Sequence, residues 1–341
     1  MHTRNLLKYV LCSVLITTIA PAKIWRVDNN GGAPSDFETL QAAAISAEVL
    51  SGDTLYVYGS PITYGYMHFN KKLTIIGPGY FLNQNPETQA YPAVAIAADI
   101  QFNAGSDSSL ITGLTTDWIL VNADFIAIKR MRIHSSYSEG SIFLQTGASS
   151  ISIQQSYITN NYGYSHAEGI KLNGDNTAVI ISNNYIDVST AGAEAIWSAT
   201  SSNPQISHNV ISGDLTLYAA QVENNILTDV AATITGDNTT RFLNNMCAAD
   251  QLPDSLGNQL NVDMANVFKD TGSTDGRWQL VAGSLAIGAG LEGTDMGMFG
   301  GPSAYVLSGL PSIPHIYYLT VPSAAQPGSP LQVRVKAKTN N

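Results

Sequence analysis

The central part of the chain repeats a short pattern of apolar and polar positions. Each repeat is a six-residue segment whose first and last residues are apolar, with mostly polar residues between them. Consecutive segments end 25, 28, 25, 16 and 20 residues apart, a period typical of a solenoid whose coils bury their apolar faces against each other. The segments are residues 128–133, 153–158, 181–186, 206–211, 222–227 and 242–247.

The residue types in these segments favour strands. Asn184, Asn209, Asn225 and Asn245 occupy the same slot of four segments, and Asn tolerates the left-handed conformation of tight corners. The segments lack a 3.6-residue period, which excludes a helical solenoid, and their spacing exceeds the roughly 8 to 12 residues of hairpin-built sandwiches. We therefore predict an all-β fold, a right-handed parallel β-helix in which the Asn column forms an internal ladder.

One short helix is predicted near the start of the coils. Ser35 and Glu38 have the spacing of a capping box, and an apolar stripe follows from Phe37 to Leu50 before Gly52. We expect this helix to cover the N-terminal end of the stack.

The last 40 residues, 302–341, differ in character and contain six of the 14 prolines. Leu331, Val333 and Val335 alternate with polar residues, the pattern of a strand with one buried face. Residues 315–321 form a second strand-like segment. We expect this tail to cover the C-terminal end of the stack, packing against the rod or pairing with a second molecule.

Several segments resemble secreted right-handed β-helix proteins, the superfamily of pectate lyases, polygalacturonases and many surface proteins of Bacteroidetes. DFETLQ (36–41), SGDTLYV (51–57) and KLTIIGPG (72–79) are similar to their N-terminal cap and first coils. GSLAIGAG (283–290) and TDMGMFGG (294–301) are similar to their closing turns, with Leu285 where Pro is usual. The resemblance covers roughly 23–301 and implies the fold, whereas one fold hosts many chemistries.

The N-terminus has the layout of a secretory signal. Basic residues precede an apolar run from Val10 to Ala20, and small residues lead to an expected cut after Ala22. The apolar run is about half the roughly 20 residues that span a bilayer. We therefore expect residues 1–22 to be a signal peptide, and the mature protein to be secreted or on the cell surface without a membrane span.

Composition narrows the possible partners. The formal net charge is −10 and charged residues make up 12% of the chain, so the sequence carries no basic footprint for nucleic acid. After the expected cut only Cys247 remains, which excludes an intrachain disulfide, and its slot in the repeat points it into the core.

The densest group of chemically active side chains lies at 162–171. His166, Glu168 and Lys171 are candidate catalytic residues, and Tyr162 and Tyr164 are candidate ligand-binding residues. The alternative interpretation is a surface turn with solvated charges.

Tyr157 and Tyr185 occupy the same slot of successive segments and are expected to stack, either as a stabilising ladder or as a platform for a glycan. Lys129, Arg130, Arg132 and His134 form a basic patch, which is expected to be a solvated face with contacts between coils; the alternative is an anion site. The spacing of His, Cys, Asp and Glu predicts no metal site, and no cofactor is expected, except calcium if the protein is a lyase.

Two functions remain open. The first is a secreted or cell-surface β-helix that is non-catalytic, either structural or adhesive, or in contact with an extracellular polysaccharide or another surface protein. The alternative is a polysaccharide lyase or a glycoside hydrolase, whose acid pair would need carboxylates roughly 5 to 10 Å apart. Asp187, Asp214 and Asp229 are out of register in the repeat and predict no such column.

Overall fold

The computed structural model describes residues 21–137, 140–163, 167–188, 190, 192–324, 328 and 330–339. Residues 1–20, most of the expected signal peptide, lie outside the described residues. The described chain winds through three parallel sheets, here named sheets A, B and C, and the middle coils contribute one strand to each sheet. This arrangement confirms the predicted parallel β-helix. No helix of the described part is long and apolar enough to cross a membrane.

The strands of the three sheets are short. Sheet A contains Ile24–Val27, Thr54–Val57, Thr74–Ile76, Leu110–Thr112, Ala127–Lys129, Ser152–Gln154, Ile180–Ser182, Gln205–Ser207, Gln221–Glu223 and Arg241–Leu243. Sheet B contains Met67–Phe69, Asp99–Phe102, Trp118–Val121, Ile142–Leu144, Glu168–Leu172, Glu194–Ser198, Asp214–Leu217 and Ile234–Gly236. Sheet C contains Thr115–Thr116, Arg132–Ser135, Tyr157–Asn160, Tyr185–Val188, Val210–Ser212, Ile226–Leu227 and Met246–Cys247.

The alignment of the six repeated segments in the sequence matches the observed pairing of their strands. The first apolar residues of successive segments pair in sheet A, as Ile153 does with Ile181, and the last ones pair in sheet C, as Ile158 does with Ile186. These side chains are buried in one continuous core that also contains Cys247. Burying one such side chain stabilises the fold by roughly 1.5–3 kcal/mol, so the stacked isoleucines are the main source of stability.

The Asn column is an internal hydrogen-bond ladder. Nδ2 of Asn184 donates to Oδ1 of Asn209 at 3.0 Å, Asn209 to Asn225 at 2.9 Å, and Asn225 to Asn245 at 3.0 Å. Asn258 extends the ladder by one step, accepting from Asn245 at 3.2 Å. The first four side chains are fully buried, so each amide depends on these partners.

The residue before each ladder position forms a second column at the corner between sheets A and C. Asn183, His208, Asn224 and Asn244 have φ between 48° and 58°, the left-handed conformation, which turns their side chains away from the core. Arg130 and Gln155 occupy the same corner of earlier coils, with φ of 49° and 54°.

Residues 262–313, here named the covering segment, pack over the outer face of sheet C. The six left-handed residues at the corner between sheets A and C, here named the corner column, hold this segment by hydrogen bonds. The bonds join Arg130 to Leu310 and Ser312, Gln155 to Ser303 and Ala304, Asn183 to Met298 and Gly300, His208 to Thr294, Asn224 to Leu291, and Asn244 to Ala289. Arg130, which was expected to be solvated, is therefore buried, because its guanidinium is enclosed by this segment.

The covering segment creates a second apolar cluster outside the coils. Outward-facing residues of sheet C, such as Val210 and Ile226, pack against Met296 and Met298 of the segment. The segment contains four short 3₁₀ helices, at Met264–Asn266, Gly276–Trp278, Leu291–Gly293 and Leu307–Gly309.

The N-terminal helix is present but shorter than predicted. It spans Leu40–Ile45, and Oγ1 of Thr39 accepts from the backbone N–H of Ala42, so the cap is Thr39 and the predicted Ser35–Glu38 capping box is wrong. The reason is that Phe37 is held in extended backbone by hydrogen bonds to Arg26 and Asp28.

The C-terminal end of the stack is covered by residues 248–268, and the expectation that the tail covers it is wrong. Leu252 is buried in the core and Leu260 packs against it. The tail strands, His315–Thr320 and Arg334–Lys338, pair with each other antiparallel. They contact an early loop, where the backbone N–H of Ala90 donates to Ile316 and Lys338 pairs with Glu87.

Candidate functional site

The outer face of sheet B carries two columns of side chains that run along the rod axis. Between them lie inward-facing residues of the core, such as Ile142 and Ile170. The first column, in register from coil to coil, is His68, Gln101, Leu120, Phe143, Lys171, Trp197 and Thr216. The second column is Asp99, Trp118, Glu168, Glu194 and Asp214, in which pairings join Asp99 to Trp118 and Glu168 to Glu194 to Asp214.

One extra residue per strand places Glu168 and Lys171 on the same side of sheet B. In Glu168–Leu172 both Gly169 and Ile170 are buried, and the next strand has Ala195 and Ile196 buried in the same way. A side chain at Gly169 would collide with the core, because a Cβ there would lie 2.6 Å from the carbonyl oxygen of Ala195. Position 169 therefore has room only for glycine, and the register shift itself is seen one coil later, between Glu194 and Ile196.

Glu168 and Lys171 form a partly buried ion pair. Oε1 of Glu168 lies 2.8 Å from Nζ of Lys171, with side-chain exposures of 11% and 23%. Nζ of Lys171 also lies 5.8 Å from the ring centre of Phe143 and 5.3 Å from that of Trp197. Aromatic faces attract cations, so the lysine is fixed between two rings and one carboxylate.

Glu194 lies one coil from Glu168, and its pKa is raised above the ordinary value. Its Oε1 accepts a hydrogen bond of 2.8 Å from Oγ1 of Thr216. Burial raises the pKa of Glu194, and the charges of Glu168 and Asp214 raise it further, whereas Thr216 and Lys171 oppose the shift. Oε2 of Glu168 and Oε2 of Glu194 are both buried without a hydrogen-bond partner.

Aromatic rings flank the early part of the columns. Trp118 stacks on Tyr137 with ring centres 5.3 Å apart and planes 12° apart. Tyr66 lies 4.8 Å from the ring of His68, whose Nε2 is 2.5 Å from a carboxylate oxygen of Asp99. Tyr66 and Tyr137 are about half exposed, so this end offers rings to the solvent.

A hollow of about 420 Å³ adjoins the other end of the columns. Asp214 lines it together with Asp229 and small residues of the turns between sheets C and B. Within the described ranges, no group of three His, Cys, Asp or Glu side chains is arranged to hold a metal ion.

The structure describes three of the five candidate residues at 162–171, namely Tyr162, Glu168 and Lys171. Glu168 and Lys171 are brought together as described, and Tyr162 lies in the turn before them with 36% of its surface exposed. Tyr164 and His166 lie outside the described residues, so their roles stay predictions.

The prediction that Tyr157 and Tyr185 stack is confirmed, but their predicted exposure to a glycan is not. Their rings stack with centres 4.5 Å apart, but they are only 9% and 4% exposed, because Trp278 of the covering segment packs on Tyr185. Burial raises the pKa of Tyr157 to about 12. A glycan platform at these two residues is therefore wrong, and the pair belongs to the apolar cluster beneath the covering segment.

Sequence reasoning missed Trp118, Trp197 and Glu194. The signal was present in part, because Glu168 and Glu194 each stand two residues before a buried Ile at the start of a strand. The register of sheet B was hidden by the unequal turns between coils.

Comparisons with known proteins give a single finding about shape. No protein-family model matches the sequence, and no curated protein matches it. The structure is similar to the crystal structure of pectate lyase Pel9A, with 13% identity and a TM-score of 0.44, over 83% of this chain and 97% of that chain. A likeness this distant carries no argument about activity. The strand order and the parallel pairing of the three sheets show that the chain is a parallel β-helix, and the candidate site lies on the outer face of sheet B.

Proposed function

We propose that this protein is an extracellular rod that binds a polysaccharide lengthwise along the outer face of sheet B. The observation that carries the proposal is the alignment of aromatic rings with hydrogen-bonding side chains along the rod axis. Phe143, Lys171 and Trp197 succeed each other on neighbouring coils, with Glu168 and Glu194 beside them.

The chemistry of this face suits a sugar polymer. Flat rings such as Trp197 and Trp118 pack against the apolar faces of sugar rings, while carboxylates, amides and hydroxyls bond to sugar hydroxyls. Neighbouring strands lie about 4.8 Å apart, so Phe143 and Trp197, two coils apart, are separated by about 9.6 Å along the axis. That distance is close to the length of two linked hexose rings.

Export is part of the proposal. The signal-like residues 1–22 and the low share of charged residues support an extracellular or cell-surface location. Membership of the Bacteroidetes-type surface group stays a prediction. Binding rather than structure alone is favoured because the rings of Trp118, Phe143 and Trp197 are partly exposed, unlike those of the buried Tyr157 and Tyr185.

The test replaces rings on sheet B. Trp197→Ala and Trp118→Ala should each weaken binding to an immobilised polysaccharide at least tenfold, measured by affinity electrophoresis across a glycan panel. Phe125→Ala is the matched control, because Phe125 is 61% exposed but lies in the turn between sheets B and A, outside the two columns. Equal binding by all three variants and the unchanged protein would contradict the proposal.

A second candidate is cleavage of the bound polymer. Glu168 and Glu194 pair in register on adjacent coils, and burial raises the pKa of Glu194, as in acids that protonate a leaving group. Against it, one oxygen of each carboxylate is buried. Release of reducing ends or unsaturated sugars that is lost in Glu194→Gln would establish cleavage, and its absence with binding intact would exclude it.

A further inference from the structure

We infer that the ligand of the sheet B face is an uncharged polysaccharide rather than a polymer of uronic acids. This inference rests on the proposed function, because it names the class of ligand for the same face. It follows from the balance of charge on the two columns.

Acidic side chains dominate the face. Asp99, Glu168, Glu194 and Asp214 all lie in the second column. Within the described part of the two columns Lys171 is the only lysine or arginine, and Glu168 at 2.8 Å already compensates its charge. A uronate carboxylate at this face would meet several like charges and no free cation.

Glu168, Glu194 and Asp214 succeed each other in register on three coils, and the pKa of Glu194 is raised, first by burial. The charges of Glu168 and Asp214 both favour its protonated form. A further anion placed beside these three side chains would meet the same repulsion, in a site where burial weakens the screening by water.

The basic residues of the middle coils lie on other faces. Lys129 belongs to sheet A and Arg132 to sheet C. The guanidinium of Arg130 is bound to Leu310 and Ser312 of the covering segment. None of these three can reach a ligand on sheet B without a rearrangement of the coils.

A bridging divalent cation is the usual way for an acidic face to hold an acidic polymer. In the described chain no three suitable side chains converge to bind such an ion. By contrast, Gln101 and Thr216 of the first column are partly exposed and offer an uncharged amide and hydroxyl that suit the hydroxyl groups of a neutral sugar.

The experiment compares neutral and acidic polymers on the full chain. The probes are β-1,4-xylan, β-1,4-mannan and β-1,3-glucan against polygalacturonate and alginate, each at low salt with calcium chloride or with a chelator. We expect binding to at least one neutral polymer and at least tenfold weaker binding to both acidic polymers under either condition.

Two other outcomes separate the inference from the proposed function. Tightest binding to polygalacturonate or alginate, lost in Trp197→Ala, would overturn the inference and leave polysaccharide binding intact. Binding to none of the five polymers would overturn both.

Charge variants give an independent readout. The double variant Glu194→Gln with Asp214→Asn should gain affinity for polygalacturonate at least tenfold at low salt, and the gain should shrink at high salt. Asp254→Asn, which removes an exposed acid from the C-terminal turns, should show no such gain. No gain in the double variant, with its folding verified by circular dichroism, would mean that charge on this face does not select the ligand.

Discussion

The guanidinium of Arg130 donates a hydrogen bond of 2.7 Å to the carbonyl oxygen of Leu310, 180 residues later in the chain. Gln155 and Asn183 repeat this relationship on the next two coils, with carbonyl oxygens that lie progressively earlier in the covering segment. The corner column and the covering segment are thus joined side by side in opposite chain directions.

Loss of one corner side chain should loosen the covering segment locally. Asn183→Gly keeps the left-handed backbone but removes hydrogen bonds to Met298 and Gly300, so we expect a loss of roughly 1–3 kcal/mol. Hydrogen exchange should accelerate in residues 290–313. Ala178→Gly is the control, since Ala178 is exposed with φ of 53° and lies in the turn between sheets B and A. Equal effects of both variants would attribute the change to glycine alone.

The Asn ladder should be sensitive to an apolar replacement. Asn209→Leu removes the oxygen that accepts from the backbone N–H and Nδ2 of Asn184, and the Nδ2 donor to Asn225, which should cost roughly 1–3 kcal/mol in urea unfolding. Asn173→Leu, at an exposed position outside the ladder, should change stability by no more than about 0.5 kcal/mol. An unchanged midpoint in Asn209→Leu would show that the ladder contributes nothing to stability.

Acidification should weaken the fold through His208. Burial lowers the pKa of His208 below its ordinary 6.5, and the charge of Glu223 partly opposes this. The unfolded chain therefore binds a proton first, so stability is lost as the pH falls below 6.5 towards the folded pKa. His208→Asn, which copies Asn183 and Asn224 at the same corner, should lack this component in urea unfolding followed against pH. An identical pH profile in the variant would contradict the assignment.

Glu194 should make the folded protein less stable as the pH rises, the opposite of the effect of His208. Its pKa is raised above the ordinary 4.5 in the folded protein, so the folded state holds the proton more tightly than the unfolded chain. Stability should fall as the pH rises above 4.5 through the folded pKa, and then stay constant. Glu194→Gln should remove this decline and be the more stable protein at neutral pH. A variant that is less stable than the unchanged protein at pH 7 would show that the ionised carboxylate is needed structurally.

The coils could be predicted because their pattern is local and periodic. The pairing of Ile153 with Ile181, and the ladder from Asn184 to Asn245, follow from residues that recur at the same slot. The left-handed corner lies at Asn183, one residue before the predicted Asn184, and its bonds to Met298 and Gly300 depend on a distant segment without any repeat.

Features that depend on distant contacts could not be predicted in this way. Tyr157 and Tyr185 occupy the expected slot, yet Trp278 reaches them from almost 100 residues away and removes them from the surface. Phe37 has a good helical pattern, but pairing with Arg26 and Asp28 overrides its local preference. On sheet B, the extra residue in Glu168–Leu172 places Glu168 on the side of Lys171, which a strictly alternating pattern does not predict.

The covering segment changes how the rod should come apart. In an ordinary solenoid each coil contacts only its neighbours, so terminal coils fray independently of the middle. Here Tyr80, in an early coil, donates or accepts a hydrogen bond with Tyr305, while Asn244, near the other end, bonds to Ala289. One stretch of chain thus spans most of the stack, and opening any coil beneath it disturbs contacts shared with the others. Unfolding should accordingly be cooperative over the coils that the segment covers, so that a protease finds no single coil among them opened alone.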